Sequence, residues 1–119
     1  MNIELLREYA LSKKHATEDM PFGPDVLCFR VGGKIFGLLP LDADPPRINL
    51  KCNPDRVVEL REEFNCVLPG YHMNKTHWNT VLLAEDATWD LVKDLTDHSY
   101  DLILNSLPKK ILKELNIDV

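Results

Sequence analysis

Val26-Leu27-Cys28-Phe29-Arg30-Val31-Gly32-Gly33-Lys34-Ile35-Phe36-Gly37-Leu38-Leu39 is the stretch on which the fold turns. Two apolar runs rich in β-branched and aromatic residues flank a Gly-Gly pair. Glycine accepts the positive φ that a tight hairpin turn demands, so the stretch reads as two antiparallel strands. On its C-terminal side, Leu41 to Pro46 holds Asp42, Asp44 and two prolines, and reads as a loop. Arg47-Ile48-Asn49-Leu50-Lys51-Cys52 then alternates polar and apolar, which predicts a half-buried strand. Ile48, Leu50 and Cys52 face inward in this reading, and Arg47, Asn49 and Lys51 face outward together.

The flanks add helices. Asn2 can cap a helix that places Ile3, Leu6, Tyr9 and Ala10 on one face and ends near Lys13-Lys14. His15 to Asp25, with Pro21, Gly23 and Pro24, reads as a loop, with Phe22 plugging the edge of the core. Asn53-Pro54 is an N-cap followed by proline at the first helical position. Val57, Leu60 and Phe64 give that helix its buried stripe, to about Asn65. Val67-Leu68 is a short extended run before a Pro69-Gly70 break, and His77 to Leu83 is a further strand. A long helix from Thr88 to about Asn105 turns Leu91, Val92, Leu95, Leu102 and Ile103 inward; Pro108 breaks it, and Lys109 to Leu115 forms a last short helix. The expected architecture is α+β: a mainly antiparallel five-stranded sheet with an N-terminal helix, a middle helix and two C-terminal helices.

Composition sets the outer limits. A chain of 119 residues suits one domain over 1–119. Apolar residues at 45% and charged residues at 28% are ordinary for a soluble globule. The formal net charge of -5 supplies no global basic field, so a nucleic-acid binder of this composition has to gather its cations on one surface. Cys28, Cys52 and Cys66 match neither a zinc-ligand spacing nor a disulfide framework, and read as reduced thiols. No signal-peptide core and no run of spanning length is present, so the expectation is a cytoplasmic protein with no membrane association, monomeric and without cofactor.

Chemistry concentrates in Leu68 to Val81, which packs Tyr71, His72, Asn74, Lys75, His77, Trp78 and Asn79 between the Pro-Gly break and an apolar run. On a strand, His77, Asn79, Val81 and Leu83 share one side and Trp78, Thr80 and Leu82 the other; extending it backwards adds Lys75 to the first. Lys75, His77 and Asn79 on an exposed face could hold a phosphate or carboxylate, with Tyr71 stacking a base or ring and Trp78 filling the core. The same pattern also describes a merely solvated sheet face. Metal binding by His72 and His77 fails on spacing, since five residues apart on a strand they face opposite ways, with no nearby acid or thiol to complete a set. A Cys66–histidine nucleophile has no oxyanion hole or activated thiolate to support it. No catalytic constellation emerges, and the expectation is a non-enzymatic protein.

Two other groupings have functional and ordinary readings side by side. Lys34, Arg47, Lys51 and Lys75 lie on or beside expected strands, while the acids concentrate in helices and loops; this segregation suits phosphate binding, or simply solubility. Glu18 and Asp19 could bind a cation or be a solvated loop. Ser99 and Tyr100 could reach a site or bond to backbone.

Taken in order, Thr17-Glu18 with Pro21-Phe22-Gly23, Gly33-Lys34-Ile35-Phe36, Leu50-Lys51-Cys52-Asn53-Pro54, Pro69-Gly70-Tyr71-His72-Met73-Asn74-Lys75-Thr76-His77-Trp78 and Ser99-Tyr100-Asp101-Leu102 resemble the MmcQ/YjbR family across nearly the whole chain. The Pro-Gly-Tyr-His-Met-Asn-Lys-x-His-Trp run is the specific part. The resemblance implies a small bacterial cytoplasmic domain of the YjbR-like, "double wing" type, similar to CyaY/frataxin-like folds, in a family commonly labelled DNA-binding. It singles out Lys34, Lys51, His72, Asn74, Lys75, His77, Trp78, Ser99 and Tyr100. The leading expectation is therefore DNA binding, with Lys34, Lys51 and Lys75 on phosphates, His72, Asn74 and His77 as polar partners and Tyr71 stacking. The alternatives are a small anionic ligand or a partner protein at the same site, and, following the frataxin likeness, metal handling by Glu4, Glu8, Glu18 and Asp19.

Overall fold

A computed structural model describes residues 1–117. The chain forms helix α1 (Ile3–Ser12), strands β1 (Thr17–Asp19), β2 (Val26–Val31), β3 (Lys34–Pro40) and β4 (Arg47–Lys51), helix α2 (Pro54–Glu63), strands β5 (Val67–Pro69) and β6 (Trp78–Leu82), and helices α3 (Trp89–Ser106) and α4 (Lys109–Glu114). The six strands make one sheet in the order β1-β2-β3-β4-β6-β5, and every neighbouring pair is antiparallel.

The expected five-stranded sheet is thus wrong by one strand, β1. Thr17–Asp19 lies inside the segment read as a loop, and pairs along Arg30, Phe29 and Cys28 of β2. Three residues carry no readable alternation, and Glu and Asp are poor strand formers. Cross-strand and helix contacts hold the segment instead. Arg7 of α1 hydrogen-bonds both oxygens of Glu18, and Arg30 Nε lies 2.9 Å from Asp19 Oδ1. Arg7 holds the Glu18 carboxyl below the usual range. A short, charged strand is also a sound way to end a sheet, because it offers little for another chain to pair with.

The rest follows the sequence closely. The β2–β3 hairpin turns at Gly32 and Gly33, both at positive φ (59° and 83°). Gly32 suits both its positive φ and its close approach to the Leu107 side chain, which a Cβ there would meet at 2.6 Å and displace. Asn2, Asn53 and Thr88 cap α1, α2 and α3 through their side-chain oxygens. Ile48, Leu50 and Cys52 are buried as expected.

All of the packing described by Leu6, Phe29, Phe36, Leu50, Leu60, Val92 and Tyr100 lies on one side of the sheet, under the helices. Phe36 meets the Tyr100 ring edge-on at 5.4 Å. Ser99 and Tyr100 take their backbone roles: Ser99 Oγ donates to Phe36 O and accepts from Lys51 N–H, stitching β3 to β4, and Tyr100 donates to Lys14 O.

Among the described residues, no helix covers the opposite face. Strand alternation puts Cys28, Leu38, Asn49 and Thr80 there, in cross-strand register (Cys28↔Leu38, Leu38↔Asn49, Asn49↔Thr80). This open face is where the candidate site forms.

Candidate functional site

Two loops flank the open face. One carries Phe22, between β1 and β2. The other, 70–77 between β5 and β6, carries Tyr71, His72 and Met73. Between them runs a groove of about 450 Å3 walled by Phe22, Val26, Leu38, Pro40, Tyr71 and Met73, with His72 and Asn49 as its polar points. A second hollow of about 310 Å3 continues past Tyr71 and is lined by Asp42, Ala43 and Arg47. Pro40, Asn49 and Tyr71 belong to both hollows, so they are two halves of one groove with Tyr71 as the divider. Each half falls within the size range of small-molecule sites. A separate internal space of about 10 Å3, between Asn79 and His98, is too small for anything beyond a single water.

The 70–77 loop is fixed by its backbone. Gly70 N–H donates to Trp78 O, and a Cβ on Gly70 would meet the Trp78 carbonyl at 2.8 Å, so glycine permits the close approach that closes the loop. Tyr71 N–H donates to Thr80 Oγ1 at 3.0 Å. Thr80 Oγ1 donates in turn to Asn49 Oδ1, and Asn49 Nδ2 donates to Tyr71 O at 3.3 Å. This closed circuit pins the Tyr71 main chain to the floor of the sheet while its side chain stays 63% exposed. His72 follows at a φ of 60°, and its ring lies 4.1 Å from that of Tyr71.

A second anchor comes from the helix side. Arg61 on α2 donates through Nε to Asn79 Oδ1 at 2.8 Å, and through Nη2 to Lys75 O and Trp78 O. It therefore ties the far end of the loop to a helix on the other face of the sheet.

These contacts redistribute the residues singled out from sequence. Tyr71 and His72 do stand at the groove. Asn74 is a turn former: its Oδ1 accepts from Thr76 N–H, and its carbonyl accepts from His77 and Trp78 N–H. Lys75 is exposed in the turn and not on a strand. His77 is half-buried just before β6, where its carbonyl accepts from Cys52 N–H.

The alternation of β6 is as expected, but its polarity is the reverse. Asn79 shares its side with Val81, and that side is the core: Asn79 is 2% exposed. The supposed exposed face of Lys75, His77 and Asn79 does not exist. Trp78 sits half-buried on the other side, opposite Lys51, and Phe22 is 66% exposed, a groove wall and not a core plug.

Lys34 opens β3, Lys51 closes β4 and Lys75 precedes β6, so antiparallel pairing gathers all three at one end of the sheet. They do not share a face. Lys51 alternates with Asn49 on the open side, whereas Lys34 alternates with Phe36 toward the helices.

Sequence reasoning missed Arg61, Asn49 as a site residue, and the apolar walls at Val26, Leu38 and Met73. One signal was present: Leu38 and Leu39 are consecutive and both apolar, so β3 has to cover apolar surface on both faces.

Elsewhere, the acids of β1 are taken up by arginines and the thiols are enclosed. Glu18 and Asp19 point to different arginines, and among the described residues no three of His, Cys, Asp and Glu converge to hold a metal ion. All three cysteines are buried. Burial and the neighbouring Asp86 push the Cys66 thiol up to about 11, the opposite of activation. No helix among the described residues is long and apolar enough to cross a membrane.

Comparison with known proteins agrees with this architecture. The YjbR family model matches residues 11–102. "Uncharacterized protein YbdF" of Escherichia coli O157:H7 is 38% identical over 95 residues, covering 80% of this chain and 78% of that protein. "Uncharacterized protein YjbR" of Escherichia coli K12 is 29% identical over 115 residues, covering 97% and 98%. Among solved structures, the Deinococcus radiodurans protein DR2400, described as a DUF419 domain, superposes with a TM-score of 0.90 at 33% identity, covering 98% of this chain and 89% of that one. A Pseudomonas syringae protein gives 0.76 at 32% identity, covering 87% and 99%. With its specific Pro-Gly-Tyr-His-Met-Asn-Lys loop lying inside the matched span, the chain belongs to the YjbR family.

Proposed function

We propose that this protein is a non-enzymatic, cytoplasmic binding module whose site is the groove on the open face of the sheet, and that it takes a small, partly apolar ligand. The observation that carries this reading is the groove itself: about 450 Å3, mostly apolar, with the Asn49 amide and the Tyr71 main chain already held in place by hydrogen bonds. Those are the general features of a small-molecule site. Exposed Phe22 and Tyr71 supply flat surface at which a ring can stack.

The test is a two-dimensional NMR titration of the labelled protein with a panel of small aromatic and aliphatic metabolites at millimolar concentration. At least one should shift the amides of Val26, Leu38, Asn49 and Met73, and Tyr71→Ala should abolish the shifts while leaving the spectrum folded. Shifts that map only outside the groove, or none at all, refute the reading.

A second reading, DNA binding, is favoured by Lys34, Lys51 and Lys75 gathering at one end of the sheet. With a net charge of -5 and the lysines divided between two faces, it rests on fewer convergent cations than the groove reading has walls. It predicts a gel shift at low salt that weakens steeply as salt rises and is reduced by Lys51→Ala and Lys75→Ala. No shift at high protein concentration removes it.

A further inference from the structure

Resting on the groove reading, we infer that the ligand is a small zwitterion with an apolar side group, such as an apolar α-amino acid or a molecule with the same end group. The two halves of the groove differ in chemistry. The half bounded by Phe22, Val26, Leu38 and Met73 has apolar walls. The half beyond Tyr71 holds one cation, Arg47, and one anion, Asp42. At the edge of the sheet, Glu18 and Asp19 of β1 are each taken up by an arginine, Arg7 and Arg30. Among the described residues Asp42 and Arg47 pair neither with each other nor with any other group.

One cation and one anion facing the same small hollow are matched by a ligand that carries one of each. A carboxylate suits the planar guanidinium of Arg47, which offers donors in a fork that a carboxylate can accept. An ammonium suits Asp42. A phosphate dianion would gain from Arg47 but meet the Asp42 carboxylate, so the pair disfavours multiply charged anions. An apolar side group would then pass Tyr71 into the larger half. Asn49, on the floor of both hollows, has its amide orientation set by Thr80 and the Tyr71 carbonyl, and marks the boundary between charged and apolar ends.

The test uses free phenylalanine as probe, with 3-phenylpropionate (no ammonium) and phenethylamine (no carboxylate) as matched analogues, by NMR titration of the full chain at neutral pH. The expected result is phenylalanine shifting the groove amides, each analogue binding at least tenfold more weakly, Arg47→Gln erasing the advantage over phenethylamine and Asp42→Asn erasing the advantage over 3-phenylpropionate. Asp42 is exposed and Arg47 half-buried, and neither side chain is in an ion pair among the described residues, so both variants are expected to give the folded spectrum. The inference is overturned if either analogue binds as well as phenylalanine, or if the two variants leave the preferences unchanged. If phenylalanine is silent while some other small molecule still shifts Val26, Leu38 and Met73, the zwitterion is wrong and the groove stands; if nothing shifts those amides, both fall.

Discussion

Arg61→Met isolates the link between α2 and the site loop. Arg61 makes three hydrogen bonds, to Asn79 Oδ1, Trp78 O and Lys75 O. Their losses are unequal. Trp78 O keeps Gly70 N–H as a donor, and Lys75 is exposed, so water can replace the arginine at its carbonyl. Asn79 has no such recourse. It is 2% exposed, and its Nδ2 already lacks a partner. Removing Arg61 leaves the whole buried amide unsatisfied. A buried polar group losing its partner costs about 1–3 kcal/mol, and a bond to a charged donor falls at the upper part of that range. With a smaller contribution from the two carbonyls, the expected loss is roughly 2–4 kcal/mol. The methionine keeps most of the apolar stem, so lost packing adds little. Urea unfolding monitored by circular dichroism measures the difference. The companion variant Arg61→Met/Asn79→Leu removes both partners and should recover part of the loss, giving a clear non-additivity. A single-variant loss below about 0.5 kcal/mol, the range of an ordinary surface substitution, would refute the claim that Arg61 holds the loop.

Other expectations follow from the same contacts. Gly70→Ala forces a Cβ against the Trp78 carbonyl and should cost about 1–3 kcal/mol in a denaturation experiment, as overpacking does, with faster amide exchange at Tyr71 and Met73. Burial, with the nearby positive charge of Arg56, lowers the His98 pKa from 6.5, and its Nε2 accepts from Asn53 N–H in the neutral form. The native state therefore binds fewer protons than the unfolded state, and stability should be fully present above pH 6.5 and fall as pH drops below it. His98→Gln should flatten the dependence of the urea midpoint on pH between 7.5 and 5.5. The three cysteines should be silent to Ellman's reagent in the native protein and react in full in guanidinium, since all are buried and burial raises each thiol pKa.

What could be read from the sequence divides along physical lines. The Gly-Gly hairpin, the alternation of β4 and the capped starts of α1 and α2 are local: each depends on residues a few positions apart, and each appears in the structure. The strand β1 depends on Arg7 and Arg30, partners eleven residues away in each case, and has no local pattern of its own. The inversion of β6 has a similar origin. Val81 and Leu83 lie on one side and Trp78 and Leu82 on the other, so hydrophobicity favours neither, and the polar Asn79 tipped the reading outward. Asn79 can be buried because Arg61 reaches it from α2, eighteen residues earlier, which no strand pattern encodes. The loop at 70–77, which the sequence singles out for its chemistry, borders the groove through Tyr71, His72 and Met73. Its use was misjudged, because side chains such as Asn74 that look like ligand contacts are occupied in shaping the turn.

Tyr71 is held at both its amide and its carbonyl, yet its ring, flanked by that of His72, stands exposed at the mouth between the two hollows. The consequence is kinetic. For the ligand proposed above, entry requires no loop to lift, a rearrangement of nanoseconds to microseconds or slower; only the Tyr71 side chain has to adjust, on the picosecond to nanosecond scale of a rotamer change. Entry is then limited by encounter and not by opening, and a fixed main chain leaves little ordering entropy to be lost on capture.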